Sequence, residues 1–222
     1  MTTGQPSFEV KQVEFFKSAE HPKDYPKDSR PQIAFAGRSN VGKSSLLNVV
    51  VNRKSIARVS NTPGRTQLIN FFLVNGSMYF VDLPGYGFAK APKSVKAGWD
   101  RMMTSFMLNN PNLRGVVTLF DIRRALEDDD RAMLDFLAHN GIPVLAVLTK
   151  MDKLPRSHQM EARKRFTADL AYHAGPPPIL FSATSRQGRT ELLDAIGERA
   201  AAPPLSALQP GNEQNPGENG ND

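Results

Sequence analysis

The eight residues at positions 37–44 combine the side-chain types and the spacing that bind phosphate. They match the pattern G-x-x-x-x-G-K-[ST], and we take as candidate nucleotide contacts Gly37, Arg38, Ser39, Asn40, Val41, Gly42, Lys43 and Ser44. Glycines let backbone N–H groups close around phosphate oxygens, the Lys43 ammonium reaches the β- and γ-phosphates, and the Ser44 hydroxyl takes one Mg²⁺ position. The motif predicts a nucleotide bound with Mg²⁺, and Lys43 is also a candidate catalytic residue.

A second candidate motif, Asp82-Leu83-Pro84-Gly85, has the form D-x-x-G. Its carboxylate can hold Mg²⁺ through water, and the Gly85 amide can bind the γ-phosphate, which is present only before hydrolysis. We therefore interpret all four residues as nucleotide contacts, Asp82 as a metal ligand through water and Gly85 as catalytic. By itself D-x-x-G is a common turn sequence, so its weight depends on the other motifs.

A third motif predicts which base is bound. Thr149-Lys150-Met151-Asp152 matches the pattern [NT]-K-x-D. The Asp152 carboxylate can accept hydrogen bonds from N1–H and N2–H₂ of guanine, whereas adenine lacks this donor pair and would leave the carboxylate unpaired. An unpaired buried group costs about 1–3 kcal/mol, which favours guanine strongly, while the Lys150 stem covers the base and the phosphate loop.

A weaker S-A-x pattern follows the last short apolar run. Here a backbone N–H can meet guanine O6, and the candidate residues are Phe181, Ser182 and Ala183. Each motif occurs once, in the expected order, and at the carboxyl end of an expected strand, where open α/β sheets bind ligands. Together the motifs predict a protein that binds GTP and GDP.

The elements that position these motifs follow from hydrophobic periodicity. Continuous apolar runs predict buried strands at 32–36, 116–121, 143–149 and 179–181, and Asn75-Gly76 predicts a hairpin between strands at 67–74 and 77–83. Apolar residues at helical spacing predict helices at 44–50, 99–107 and 132–137, the last one preceded by the acids of 127–130 at its N-terminus. We expect an α/β fold of the P-loop GTPase kind: six to seven mostly parallel strands, one antiparallel hairpin strand, and helices on both faces.

Composition divides the chain into three parts. We expect residues 1–30 to be an irregular lead-in, with one strand around Phe8–Phe16 at the sheet edge. Residues 31–202 are expected to form the single G domain, and residues 203–222 are expected to be a disordered tail. The tail holds three acids and neither Lys nor Arg, so residues 1–202 carry +9 although the whole chain carries +6. Such a body favours polyanions.

Several classes of protein are excluded by what the sequence lacks. It contains no cysteine, which excludes disulfides and thiolate metal sites. No apolar stretch approaches the ~20 residues of a membrane span, and the N-terminus lacks the apolar core of a secretion signal. We expect a cytoplasmic, monomeric protein with no membrane and no DNA partner.

In one segment, two threonines are alternative candidates for the Mg²⁺ ligand. Residues 55–66 contain turn residues and no sustained period, which predicts a mobile loop. On the residues alone, Thr62 and Thr66 could each offer a hydroxyl to Mg²⁺.

The chain resembles the EngB (YihA/YsxC) family of bacterial GTPases. The resemblance covers about residues 10–200 and is carried by the segments 37–48, 61–71, 81–87 and 149–154, of which Pro-Gly-Arg-Thr-Gln at 63–67 and Asp-Leu-Pro-Gly-Tyr-Gly at 82–87 are the specific parts. It implies that Thr66 is catalytic and that Ser44 and Thr66 are the direct Mg²⁺ ligands. Thr66 precedes the strand that leads to Asp82, so it can offer its hydroxyl to Mg²⁺ and its N–H to the γ-phosphate. The same resemblance assigns the nucleotide-contacting switch segment to Gly64, Arg65, Thr66, Gln67 and Leu68.

The resemblance also implies a cellular role: assembly of the large ribosomal subunit, with its rRNA and ribosomal proteins as partners, and normal cell division and septation. The alternative is a septation factor that recruits division proteins and binds GTP only as a structural ligand. A metabolic P-loop kinase is a third hypothesis, which would leave Thr149–Asp152 unexplained.

One expected residue is missing from the motifs. Ras-like GTPases orient the attacking water with a glutamine directly after D-x-x-G, but this chain has Tyr86 there, followed by Gly87 and Phe88. We therefore expect slow intrinsic turnover that a partner or an ion completes. Tyr86 and Phe88 either pack onto the core or form part of a surface that contacts the partner. Asn40, three residues before Lys43, is a candidate K⁺ ligand by analogy with other GTPases that lack the glutamine.

Overall fold

The computed structural model describes residues 8–53, 56, 68–87, 93–171 and 176–205, with the backbone alone for 93–100. Its strands are β1 (Val13–Ala19), β2 (Gln32–Gly37), β3 (Ile69–Val74), β4 (Met78–Asp82), β5 (Leu113–Asp121), β6 (Val144–Thr149) and β7 (Ile179–Leu180). Its α-helices are α1 (Lys43–Val50), α2 (Lys93–Leu108), α3 (Asp128–His139), α4 (Arg156–Asp169) and α5 (Arg189–Ala201). Two short 3₁₀ helices lie at Pro22–Asp24 and Met151–Lys153.

The seven strands form one sheet in the order β1-β3-β4-β2-β5-β6-β7. Strand β3 runs antiparallel to both of its neighbours, β1 and β4, while β4, β2, β5, β6 and β7 pair in parallel. This arrangement confirms the predicted mostly parallel sheet with one antiparallel hairpin strand. Because the parallel strands share a direction, the segments that follow β2, β4, β5, β6 and β7 all leave the same edge of the sheet.

Helices cover both faces of the sheet. One apolar cluster joins α1 and α5 to β2 through residues such as Leu47, Ile196 and Phe35. On the opposite face, Phe106 of α2 and Leu137 of α3 belong to a second cluster, and a third joins α3 to α4. The central strands β2 and β5 are buried along their whole length, which explains their continuous apolar sequences.

The predicted hairpin between β3 and β4 is confirmed. Its turn residues Asn75 and Gly76 have φ values of 51° and 65°, as a tight turn between twisted strands requires. The Asn75 side chain also ties down the N-terminal segment: its Oδ1 accepts hydrogen bonds from the backbone N–H groups of Lys11 (2.9 Å) and Gln12 (3.0 Å), and its Nδ2 donates to the Glu9 carbonyl (2.7 Å).

The N-terminal lead-in is more regular than expected. The edge strand predicted around Phe8–Phe16 lies instead at Val13–Ala19, where Val13 and Ala19 are buried and the backbone pairs with β3. Residues 1–30 are therefore not irregular throughout, because this strand belongs to the main sheet.

Other boundaries also differ from the predictions. The sequence predictions did not include α5, although it supplies Leu192, Leu193 and Ile196 to the core. Leu205 packs against the second apolar cluster, so the packed chain continues two residues past the predicted start of the tail, Pro203. Residues 206–222 lie outside the described structure. Within the described part of the chain, no helix has the length and apolar composition needed to cross a membrane.

Candidate functional site

The phosphate loop connects β2 to α1 through two left-handed residues. Asn40 has a φ of 64° and Gly42 a φ of 109°, which turns the backbone sharply before α1 begins at Lys43. Gly42 is the N-cap of α1 and supplies no side-chain hydrogen bond to the helix. The first N–H groups of a helix have no intrahelical acceptor, so this turn is chemically suited to bind phosphate oxygens.

Lys43 at the start of α1 forms an ion pair with Asp82 at the end of β4. Within this pair, Lys43 Nζ donates a hydrogen bond to Asp82 Oδ1. Both side chains are largely shielded, at 12% and 13% exposure. The structure thus brings together the predicted phosphate-binding amine and the predicted carboxylate of the Mg²⁺ site. Ser44 follows in the first turn of α1 and is half-buried. Hydroxyl and carboxylate oxygens are the ligands that Mg²⁺ prefers, so Ser44 and Asp82 fit this ion.

The D-x-x-G segment pairs directly with the phosphate loop. The Ser39 N–H donates to the Tyr86 carbonyl (3.0 Å), and the Tyr86 N–H donates to the Gly37 carbonyl (3.3 Å). Gly85 lies so close to the loop that a Cβ atom would be 3.1 Å from Ser39 Oγ. Glycine at position 85 therefore lets the two predicted phosphate-binding segments approach each other.

Five apolar residues among the predicted contacts have side chains that belong to the protein interior. Val41, Leu83, Met151 and Phe181 are at most 5% exposed and pack in the apolar clusters. Pro84 is also buried. At these positions the side chains fix the motifs to the core and are not exposed to a ligand.

The third motif is fastened to the phosphate loop by side-chain hydrogen bonds. Thr149 Oγ1 lies 2.7 Å from the Val41 carbonyl and 3.0 Å from that of Phe120. Lys150, which is left-handed with a φ of 60°, donates from Nζ to the Asn40 carbonyl (2.7 Å). The Lys150 side chain therefore contacts the loop backbone, and its predicted contact with the base stays a prediction.

The candidate base-recognition residues that follow β6 and β7 meet at Asp152. The Ser182 hydroxyl donates to Asp152 Oδ1 (2.7 Å) and accepts hydrogen bonds from the N–H groups of Thr184 (3.2 Å) and Ser185 (3.1 Å). The Ser182 hydrogen bond lowers the pKa of Asp152 below its ordinary value, because it stabilises the ionised carboxylate. Ala183 follows at the surface of the first apolar cluster. The predicted Asp152 and Ser182 thus lie together, and the carboxylate is oriented by a side chain.

Asp121 is a site residue that the sequence analysis missed. It ends β5 and is 8% exposed, and its Oδ2 lies 3.0 Å from Lys150 Nζ and 2.7 Å from an Arg123 guanidinium nitrogen. Burial alone would raise the pKa of Asp121, but hydrogen bonds from Arg123 and Lys150 outweigh burial and hold it below its ordinary range. A signal was present, because Asp121 ends a central strand as Asp82 does.

The predicted switch segment is described only at its end. Gly64, Arg65, Thr66 and Gln67 lie outside the described residues, as does the alternative ligand Thr62. Leu68 is described and is 37% exposed immediately before β3. The Mg²⁺ assignment of Thr66 therefore stays a prediction.

Comparison with known proteins places this site in a family. A family model described as 50S ribosome-binding GTPase matches residues 32–150, from the start of β2 to Lys150. A probable GTP-binding protein EngB from Pelotomaculum thermopropionicum is 48% identical over 188 residues, which are 85% of this chain and 95% of the relative. The EngB protein of Pelobacter propionicus is 50% identical over 181 residues, covering 82% and 90% of the two chains. The chain belongs to the EngB family of GTP-binding proteins.

Solved structures agree with this family assignment. The crystal structure of a probable EngB protein aligns with a TM-score of 0.63 and 25% identity over 76% of this chain and 98% of that one. Era of Aquifex aeolicus, solved with GDP and AlF₄⁻, aligns with a TM-score of 0.59 at 21% identity over 76% and 56% of the two chains, and supports the fold alone. The resemblance found in the sequence is therefore confirmed: this is a GTP-binding protein with the P-loop GTPase fold.

Proposed function

We propose that this EngB-family protein hydrolyses GTP with Mg²⁺ and is a nucleotide-dependent factor in the assembly of the large ribosomal subunit. The observation that carries the proposal is the meeting of Lys43, Asp82 and Gly85 beside the phosphate loop, with the Asp152–Ser182 pair at the same edge of the sheet. The matched family, which is described as 50S ribosome-binding GTPase, supports the ribosomal partner.

Each part of the site has a separate task in this mechanism. The loop N–H groups and the Lys43 ammonium hold the phosphates, and Asp152 accepts the guanine N–H groups while the Lys150 stem covers the base. Ser44 and Thr66 would hold Mg²⁺, with Asp82 as a further ligand through water. When bound, the ion neutralises the negative charge that builds up on the phosphate oxygens. The Gly85 and Thr66 amides contact the γ-phosphate, so hydrolysis removes one contact from the D-x-x-G segment and one from the switch segment.

Intrinsic hydrolysis is expected to be slow because of Tyr86. Its hydroxyl is hydrogen-bonded to Asp130 in α3 (3.0 Å), away from the phosphate loop, and its ring is buried. It therefore cannot orient a water molecule as a glutamine does at this place in Ras-like proteins. A partner, or K⁺ held by Asn40, completes the site. The Asn40 hydrogen bond to Lys150 uses the carbonyl, and the residue is exposed, so its side-chain amide is available for this role.

The ribosomal partner fits the charge of the protein. Residues 1–202 carry +9, which suits a surface rich in RNA phosphates. The test is co-sedimentation with large-subunit precursors in the presence of GDP or a non-hydrolysable GTP analogue. We expect stronger binding with the analogue and weaker binding as salt rises. A matched Lys43→Ala variant should lose the difference between the two nucleotides while keeping the salt dependence. Equal binding of the wild-type protein in both nucleotide states would contradict the proposal.

A second experiment separates this function from a septation role. On depletion of the protein, we expect immature large-subunit particles to accumulate in the cytoplasm before the cells show any division defect. A septation defect with an unchanged ribosome profile would favour the recruitment hypothesis instead, in which GTP is a structural ligand.

A further inference from the structure

Tyr86 connects the D-x-x-G segment to helix α3. The residue is 6% exposed and belongs to the apolar cluster under α2 and α3. Its hydroxyl donates a hydrogen bond to Oδ1 of Asp130 (3.0 Å), which is itself 4% exposed. Burial, with the nearby Asp130 carboxylate as a second cause, raises the pKa of Tyr86 above its usual range, so the hydroxyl stays a donor at neutral pH. A buried hydrogen bond thus begins one residue after Gly85.

Asp130 is held in place by the start of α3. Its Oδ2 accepts a hydrogen bond from the Glu127 N–H (3.0 Å). This bond is part of a capping box, in which the Glu127 side chain in turn accepts a hydrogen bond from the backbone N–H of Asp130. Glu127 also pairs through Oε2 with the Arg38 guanidinium (2.8 Å). The sequence analysis explained these acids only as helix caps. The structure adds that the cap is connected to the phosphate loop through Arg38 and to the D-x-x-G segment through Tyr86.

These contacts fix the backbone directly after Gly85. Tyr86 is held by its two backbone hydrogen bonds to Gly37 and Ser39 and by its hydroxyl. The Gly85 amide is the group expected to contact the γ-phosphate, the only phosphate that distinguishes GTP from GDP. A fixed donor binds more strongly than one that must be ordered on binding.

We propose that the hydrogen bond from Tyr86 to Asp130 is a positioning contact that holds the Gly85 amide where the γ-phosphate binds, and thereby sets the preference for GTP over GDP. The inference rests on the proposed function, because it assumes that Gly85 contacts the γ-phosphate. Tyr86 acts through Gly85 and touches no reacting atom itself. The residue at the place of the usual glutamine therefore stabilises the GTP-bound geometry instead of orienting water.

The test is the ratio of two affinities in Tyr86→Phe, which removes the hydroxyl and keeps the ring. We expect the affinity for a non-hydrolysable GTP analogue to fall about three- to tenfold, the range expected for one lost hydrogen bond, and the affinity for GDP to stay within about twofold. The matched control is Tyr79→Phe. Tyr79 lies in β4, and its hydroxyl donates to Asp28 Oδ2 at a similar distance (2.8 Å), far from the phosphate loop. This control should lose stability without changing the ratio.

The outcomes separate this inference from the proposed function. An unchanged ratio in Tyr86→Phe, or an equal fall in both affinities, overturns the positioning role, whereas a wild-type protein that binds ribosomal precursors equally with both nucleotides overturns the proposed function. A double variant with Asp130→Asn tests the contact itself, because an amide oxygen at position 130 can still accept the hydrogen bond from the Glu127 N–H. The ratio of GTP-analogue to GDP affinity in the double variant should equal that of Tyr86→Phe alone, because the hydroxyl that bonded to Asp130 is already gone; additive losses would show that the two residues act separately.

Discussion

The two halves of the nucleotide site are held by different kinds of interaction. The phosphate half is shaped by the backbone: left-handed Asn40 and Gly42 turn the loop, and backbone hydrogen bonds join it to the segment after β4. The base half is shaped by side chains, because Ser182 orients Asp152 and Asp121 anchors Lys150.

This difference predicts different behaviour on binding. Ser182 occupies one oxygen of Asp152, Oδ1, so the base-recognition carboxylate keeps its orienting partner and still has acceptor capacity. Lys43 and Asp82 are each other's partner, yet both must engage the ligand, one at phosphate and one at Mg²⁺. We infer that the base half is preorganised, whereas the phosphate half must exchange an ion pair for ligand contacts.

The halves are nevertheless connected. The carbonyls of Val41 and Asn40 lie within hydrogen-bond distance of Thr149 Oγ1 and Lys150 Nζ. The loop whose N–H groups are predicted to bind phosphate therefore contacts the base half through its carbonyls. The variants below test how far the halves can be separated, from the largest expected effect to the smallest.

The largest effect should come from Asp152→Asn. The change places an amide donor where guanine N2 also donates, while xanthine offers an oxygen there. An unsatisfied or mismatched pair costs about 2–3 kcal/mol, so the ratio of XTP to GTP affinity should rise about 30- to 150-fold. Competition of the two nucleotides against a fluorescent analogue measures this ratio. A retained preference for GTP would mean that another residue recognises the base.

Lys43→Ala should weaken the phosphate half while leaving base recognition intact. Loss of a charge-assisted hydrogen bond costs about 1.5–3 kcal/mol, so the affinity for GTP should fall at least about tenfold. The preference for GTP over ATP should persist. The matched variant is Ser44→Ala, in which the Mg²⁺ dependence of binding and turnover should be lost first. Near-wild-type GTP affinity in Lys43→Ala would contradict the site assignment.

Ser182→Ala tests preorganisation of the base half. Without the hydroxyl, Asp152 loses the contact that orients it, and the affinity for GTP should fall about two- to fivefold. The same contact lowers the pKa of Asp152, so its loss should raise that pKa, and binding should fail at a higher pH during acidification. Carboxyl ¹³C shifts of Asp152 measured by NMR against pH give the pKa directly. A pKa equal in the variant and the wild type would show that Ser182 does not set the charge of this carboxylate.

The smallest expected effect concerns the monovalent cation. If Asn40 holds K⁺ near the phosphates, hydrolysis should be several-fold faster in K⁺ than in Na⁺ at equal ionic strength, because the ion adds positive charge where the transition state needs it. Asn40→Ala should erase the difference without changing guanine preference. Equal wild-type rates in the two salts would exclude this role.

The sequence by itself determined the local parts of this protein. A phosphate loop needs glycines and a lysine at short, fixed spacing, and a tight hairpin needs residues such as Asn75-Gly76 that tolerate positive φ, so a few consecutive residues carry each prediction. The ends of the apolar runs also placed the motifs correctly at one edge of the sheet, because parallel strands share a direction. The roles of Gly64, Arg65, Thr66 and Gln67 stay predictions, since these residues lie outside the described structure.

Only the tertiary structure decided which distant residues support the site. The contacts of Asp121 with Lys150 and of Asp130 with Tyr86 join residues 29 and 44 positions apart, and they depend on the strand order and on how α3 packs. Periodicity shows which face of an element is apolar but not which element covers it. For the same reason, the sequence did not show that the side chain of Leu83, a predicted nucleotide contact, packs in the core. Local spacing encodes the chemistry, and the packing of distant elements determines what holds that chemistry in place.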